Sequence, residues 1–439
     1  MTLREGSSPG VVAGIDAAIV AAHHVAIRDG DRLVQFKVQP TLAGMAGLTE
    51  RLRPFAGAVV TAEPTAGTWL PLGAAVTAAG CRFQLVEARA TAKLRQALAG
   101  KNKTDRIDAL MLADAGRLFD IPAQPIPTAG LIAIRRAVLR RHRATVDAHR
   151  AECRLWALAS WAFPDVWRAC QGHTLAQPIL DRWPDLRSLG HAHVGSITEI
   201  VAKYSKSPNP ARRADKIREA AGGWALFWMG RLDLDALAWE VGQMLDDIEI
   251  ADRNQRAATT QALTLRAVHH GTTDVLMSIP GIGEIVATVT RGWFTGPGQF
   301  PSAKHAAAFV GLDPSRRESG LTASRSRRIT KEGPPALRLA YYQAANVARR
   351  HDPQLAEHYR RLMVERNHNH ISACCAVARK LVTRAWAIIE TGKPYEIHDV
   401  DGRPLTPADA TRRAGELAVP EDVRRRRRAH QQRSRLDID

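Results

Sequence analysis

The chain has 439 residues, enough for two or three domains with buried cores, so its size calls for neither disulfide nor metal staples. Its 62 Lys and Arg against 44 Asp and Glu leave a net charge of +18 and a pI near 10.4, a balance that favours a polyanionic partner, nucleic acid first. Cys81, Cys153, Cys170, Cys374 and Cys375 include no CxxC pair, which argues against a disulfide framework or zinc ribbon; with no leader and no apolar run of about 18 residues, a cytoplasmic protein with no membrane partner is expected.

The first segment reads as strands followed by helices. Val11-Val12-Ala13-Gly14-Ile15 is an apolar run ending in Asp16, and Val25 to Val38 holds two β-rich stretches around an Asp29-Gly30 turn. Leu42, Met45, Leu48 and Leu52 recur at helical spacing, Ala58 to Ala62 is a fourth strand, and Phe83 to Val86 is a fifth. The order βββαβαβα predicts a mixed sheet flanked by helices.

From about residue 130 to 270 helical signals dominate. Leu234, Leu237, Val241, Met244, Ile248 and Ala251 follow steps of three and four, a seam that serves either a helix packed on its own chain or a coiled-coil dimer. Ser205 to Arg213 is polar, contains two prolines and reads as an exposed loop. A third region begins near Val275, with a basic loop from Arg316 to Lys331 and helices from Leu337 to about Ile389. The tail, with Arg424 to Arg428 and few apolar residues, is expected to be a disordered basic arm. His368 and His370, beside Asn367 and Asn369, read as solvent-facing polar residues rather than as metal ligands.

Asp16 and Glu63 each close an apolar strand, and Asp105 and Asp108 lie three apart in Lys103-Thr104-Asp105-Arg106-Ile107-Asp108-Ala109. Strand ends deliver side chains to a common edge, and aspartates three apart on a helix share a face. Converging carboxylates repel one another unless divalent cations neutralise them, and hard oxygen donors favour Mg2+ or Mn2+. Two such ions, about 3.5–4 Å apart, suit phosphodiester chemistry. Lys101, Lys103 and Arg106 stand beside the aspartate pair as candidate phosphate contacts.

Gly14-Ile15-Asp16, Glu63-Pro64-Thr65-Ala66-Gly67 and above all the run Lys103 to Ala109 resemble the DEDD transposases of insertion sequences, relatives of the Piv-type DNA invertases. The resemblance implies an N-terminal RNase H-like (RuvC-like) domain, similar to Holliday-junction resolvases, in which Asp16, Glu63, Asp105 and Asp108 hold the metal ions. It continues through the C-terminal third. Leu276 to Gly283 resembles a helix-hairpin-helix, where Gly281 and Gly283 let backbone N–H groups approach a phosphate. Phe300, Phe309-Val310-Gly311-Leu312-Asp313-Pro314, Glu318-Ser319-Gly320, Ile329-Thr330-Lys331-Glu332-Gly333 and Leu337-Arg338 follow in the family's order. The family's nucleophilic serine maps onto Ser319, flanked by Arg316, Arg317, Arg325, Arg327, Arg328 and Lys331, cations suited to a crowded phosphate. The chain departs from the family's pattern at Ala17, Ala18 and Ile19 after Asp16, and at Pro334-Pro335 after Gly333.

The expected fold class is therefore α/β followed by all-α. Residues 1–125 would form the RNase H-like catalytic domain, 126–270 a helical linker and possible coiled-coil dimerisation region, 271–395 the mainly helical transposase domain, and 396–439 the tail. The resemblance implies a recombinase that excises and inserts DNA, acting on donor and target DNA as a homodimer or homotetramer. It also implies a noncoding bridge RNA as guide, which agrees with abundant cations and no evident recognition helix. A hydrolytic, resolvase-like endonuclease that leaves Ser319 idle is the alternative.

Overall fold

The computed structural model describes residues 2–3, 10–65, 67–86, 104–120, 127–314, 318–319, 322–323 and 329–427, the side chains of 2–3, 120, 318–319 and 322–323 excepted. The chain divides into two compact units, Met1–Thr128 and Ala129–Asp439.

The first unit is α/β. A short pair, β1 (Thr2–Leu3) and β7 (Phe119–Asp120), lies outside a five-stranded sheet of order β4-β3-β2-β5-β6. In that sheet β2 (Val11–Asp16), β3 (His23–Asp29) and β4 (Arg32–Val38) form an antiparallel meander, and β5 (Val59–Ala62) and β6 (Arg82–Leu85) continue it in parallel from β2. Alternation sorts the faces. Ala13, Ile15, Val25 and Ile27 pack with Leu48 and Leu52 of α1 (Leu42–Leu52) and with Leu72 and Val76 of α2 (Trp69–Ala78). Val12 and Val59 turn the other way, onto Ala113 of α3 (Asp105–Leu118). Thr104 starts α3 by accepting the Ile107 N–H, a cap that contributes about 1 kcal/mol.

The second unit is built on α4 (Ala129–Ala162) and α10 (Leu234–His270), a long antiparallel hairpin. Its register is visible in side-chain pairs along its length: Arg141 donates to Thr259 (3.0 Å), Gln255 to Thr145 (2.8 Å), and Arg154 to Asp247 (3.1 Å). Leu234, Leu237, Val241 and Ile248 of the heptad-like seam are buried in one core with Leu155 and Leu158, and Met244 packs half-buried against it. Of the two readings of that seam, packing on the chain itself is the one observed.

Between the arms lie α5 (Pro164–Cys170), α6 (His173–Arg182), α7 (Leu186–His191), α8 (Val194–Tyr204) and α9 (Pro210–Trp228), which close that core as a cap. The expected loop from Ser205 to Arg213 is shorter than its composition suggested. Pro210 already sits in the first turn of α9, where its missing N–H costs nothing, and Asn209 caps the helix by accepting the Arg212 N–H.

The base of the hairpin, Ile134, Ala137, Val138 and Ala262, belongs to a second core with the C-terminal helices, so the unit runs through the boundary expected near residue 270. Those helices are α11 (Glu284–Arg291), α12 (Ala303–Val310), α13 (Pro335–Ala348), α14 (Pro353–Val364) and α15 (His370–Thr391). Buried Asp352 ties the last of them together: it accepts from Arg384 (2.7 Å), the Tyr395 hydroxyl (2.9 Å) and the Leu355 N–H (2.9 Å).

The expectation of a disordered tail from residue 396 is corrected up to residue 427. Asp399, almost fully buried, accepts from Arg413 and the Val400 N–H, Val419 enters the core, and α16 (Pro407–Glu416) buries Ala410 and Ala414 in packing on α14. Small residues closed the interface that the apolar count concealed. His368 and His370 are likewise half-buried rather than solvent-facing, bonded to the Ser372 hydroxyl (2.9 Å) and the Tyr359 hydroxyl (2.7 Å).

Candidate active site

Asp16 and Glu63 end neighbouring parallel strands. Ile15 of β2 is in register with Ala62 of β5, so the residues that follow leave the sheet side by side at its carboxyl edge. Asp105 and Asp108 occupy the first turn of α3, where the helix dipole favours carboxylates. What brings that turn to the same edge is close packing at Gly14. A Cβ there would stand 2.0 Å from the Ala109 carbonyl oxygen and 2.3 Å from the Ala113 nitrogen, so only glycine lets α3 lie this close to β2. Gly116 repeats the device two turns on, where a Cβ would meet the Thr61 hydroxyl at 2.5 Å.

His24, which the sequence reading passed over, links the two halves of the site. It is the cross-strand partner of Asp16, and its Nε2 lies 3.7 Å from Asp105 Oδ2. The preceding His23 is buried, and burial depresses its basicity; its Nδ1 accepts the Ala18 N–H at 3.2 Å and so shapes the turn that leaves Asp16. The only sequence signal for either was a His-His pair opening the strand after the first aspartate. Ile19 and Val20 stand exposed on that turn. Arg106 is exposed and bonded to Gln35 of β4, beside the aspartates, whereas Lys101 and Lys103 lie outside the described residues.

The donor set at this edge is all carboxylate oxygen, which fits a hard divalent cation. Among the described residues, however, no group of three or more His, Cys, Asp or Glu side chains is arranged to hold a metal ion. The four carboxylates share an edge without closing into a ligand cage.

In the second unit, Ser319 belongs to a small antiparallel ladder, β8 (Glu318–Ser319) with β9 (Thr322–Ala323), Ser319 being in register with Thr322. Its side chain and residues Arg316, Arg317, Arg325, Arg327 and Arg328 lie outside those described. The residues on either side of the segment are bonded to one another. Pro314 bridges Ile329, the Thr330 hydroxyl donates to Asp313 Oδ1 (2.7 Å), and the Lys331 N–H donates to the Gly311 carbonyl (3.2 Å). Gly311 and Gly333 both adopt positive φ, and a Cβ on Gly333 would stand 1.9 Å from the Phe309 carbonyl oxygen. Arg338 reaches back to the Val310 carbonyl at 3.2 Å. The separated motif segments 309–314 and 329–333 therefore lie side by side, with Lys331 bonded to Gly311.

The turn at Gly281 carries a packing constraint as well. Gly281 has φ +87°, and a Cβ would meet the Ala344 carbonyl oxygen of α13 at 2.5 Å. Exposed Gly283 starts α11 with open space around its α-carbon. The element before the turn is a single 3-10 turn, Val275–Ser278, anchored by Asp274, which accepts two hydrogen bonds from Arg291 (2.8 and 2.9 Å).

Two family models match in the chain order that these segments follow: a DEDD transposase model of the IS110 group over residues 13–164, and the transposase IS116/IS110/IS902 family over residues 273–360. Two insertion-element relatives align along most of their own length. An insertion element IS110 protein of Streptomyces coelicolor is 24% identical over 88% of this chain and 96% of its own, and an insertion element IS900 protein of Mycobacterium paratuberculosis 27% identical over 88% and 97%. A pilin gene-inverting protein of Moraxella lacunata is 27% identical over 28% of this chain and 39% of its own. With both family models and these relatives in agreement, the chain belongs to the IS110 family of insertion-sequence transposases.

Proposed function

We propose that the protein is a recombinase that excises and inserts an insertion element, with Asp16, Glu63, Asp105 and Asp108 as its metal site and Ser319 as its nucleophile. The observation that supports this reading is the edge at which β2 and β5 end and α3, seated through Gly14, begins, since the four acidic positions belong to these strand ends and that first turn. An antiparallel meander continued by parallel strands, with a helix carrying the last acids across it, also fits an RNase H-like fold for the first unit.

Asp16, Glu63, Asp105 and Asp108 would hold Mg2+ or Mn2+, in all two ions per site. Bound there, such ions activate an attacking oxygen and stabilise a leaving one. His24 would orient Asp105 against Asp16. The Ser319 hydroxyl would attack a phosphodiester: an Oγ–P bond forms, the bond to the departing deoxyribose oxygen breaks, and that oxygen leaves as a hydroxyl. The phosphoserine ester conserves the bond energy, so a hydroxyl from another strand reverses the step and rejoins DNA without ATP. Lys331 and the arginines around Ser319 would offset the charge on the crowded phosphate, Lys101, Lys103 and Arg106 would hold the backbone beside the carboxylates, and Gly283 with Gly281 would approach a phosphate through backbone N–H groups. Donor and target would be selected by pairing with a noncoding bridge RNA, and assembly would be a homodimer or homotetramer.

Denaturing electrophoresis of end-labelled donor DNA after incubation with Mg2+ tests the reading. A strand that migrates with protein and collapses on protease treatment is expected, and Ser319→Ala should abolish it. Free cut ends made equally by wild type and Ser319→Ala would establish the hydrolytic alternative instead.

A further inference from the structure

Seven of the ten tryptophans fall between residues 156 and 239, in the cap and the adjoining ends of the two arms. Four rings meet there: Trp161 with Trp228 (6.0 Å between centroids), Phe227 with Trp228 (4.8 Å), and Trp224 with Phe227 (5.2 Å). The cluster is not a closed core. Trp161 and Phe227 remain about half exposed, at 51% and 50%, and Leu226 and Met229 more so.

A groove of about 790 Å³ runs from the end of α5 to the first turns of α9, lined by Arg168, Lys206, Arg212, Arg213 and Lys216 with Asp165 as its one carboxylate. Arg213 is held by the carbonyls of Ala169 and Cys170, both at 2.8 Å. Lys206, Arg212 and Lys216 are exposed and have no ion-pair partner among the described residues. Groove and rings share a wall: Trp224 Nε1–H donates to Asp165 Oδ2 at 3.1 Å, and Arg212, Lys216, Ala220, Trp224 and Phe227 follow one face of α9.

We infer that this cap binds an unpaired nucleic-acid strand, its phosphates along Lys206, Arg212 and Lys216 and its bases against Phe227 and Trp161. A cationic track ending on exposed rings suits a single strand, whose bases present π faces that a duplex hides. A second copy of this chain fits less well, because a two-fold contact through the rings would bring two cationic grooves together. The inference goes beyond the strand-exchange reading and does not depend on the chemistry at Asp16 or Ser319.

The test uses the full chain and three fluorescein-labelled probes followed by anisotropy: a 20-nucleotide uridine RNA, a thymidine DNA of that length, and a 20-base-pair duplex. Lys206→Glu/Arg212→Glu/Lys216→Glu is expected to weaken single-strand binding at least tenfold. It should also flatten its logarithmic salt slope by about 2, at roughly 0.7 per lost phosphate contact, while duplex affinity changes less than twofold. Phe227→Ala should weaken single strands about fivefold or more and leave the slope alone. Tighter binding of uridine would identify RNA as the source and equal binding would admit a displaced DNA strand, both upholding the site. Unchanged single-strand affinity, equal losses on duplex, or a Phe227→Ala protein that sediments as a smaller species yet binds normally would overturn it. Donor cleavage by the same variants separates this outcome from failure of the recombinase reading.

Discussion

Asp16, Glu63, Asp105 and Asp108 reach one edge from three elements, and each is expected to be separately indispensable. Replacing any of them with Ala should lower donor-strand cleavage by more than the about 10- to 100-fold that loss of an outer partner of a metal ligand costs, with the circular dichroism of the fold unchanged. His24→Ala, which removes the contact at 3.7 Å to Asp105 rather than a carboxylate, should fall within that range and be rescued in part by raising Mg2+. Full recombination by any two of the four carboxylate variants would overturn the site. Ca2+ should support DNA binding with little cleavage, because its looser coordination positions reacting oxygens poorly; equal cleavage in Ca2+ and Mg2+ would count against two-metal chemistry.

At the scale of elements, α3 delivers its aspartates only because Gly14 and Gly116 let it touch the sheet. Gly14→Ala should push the helix away, destabilise the first unit by about 1–3 kcal/mol or more and abolish cleavage although no carboxylate is changed. A variant with wild-type melting and cleavage would show that the close approach is dispensable. In the second unit, His358 of α14 is pushed down from 6.5 to about 4 by burial and then by Lys380, Arg361, Arg366 and Arg384. Folded His358 thus stays neutral where the unfolded chain already binds a proton. Its contribution is complete above pH 6.5 and is lost as pH falls toward about 4. His358→Leu should therefore lose less Tm than wild type between pH 7 and pH 4.5, and identical slopes would exclude His358 as the cause.

For the molecule as a whole, the carboxylates and Ser319 lie in different compact units. The strand exchange proposed above would need both, and an oligomer would supply them from one subunit or from two. Mixing Asp105→Ala with Ser319→Ala protein distinguishes these, since only a site shared between subunits regenerates an intact pair. Recovery of protein-linked donor DNA in the mixture is expected for a shared site, and its absence would assign both parts to one chain.

The meander and parallel strands of the first unit were legible in the sequence, because alternating apolar residues and an Asp-Gly turn are local signals. It also carried the family through Lys103 to Ala109, whose residue types the proposed chemistry would use directly. Tertiary structure decided the rest. The heptad-like seam of α10 looks the same whether α4 or another chain covers it, and only the fold shows α4 there. His24 enters the site through pairing with Asp16, a relation between strands that no short window displays. The order of residues 396–427 rests on Ala410, Ala414, Val419 and a buried Asp399, whose contribution comes from fit and paired charge rather than apolar content. Gly14 was readable as part of a motif, but the reason it must be glycine lies about a hundred residues away, in the backbone of α3.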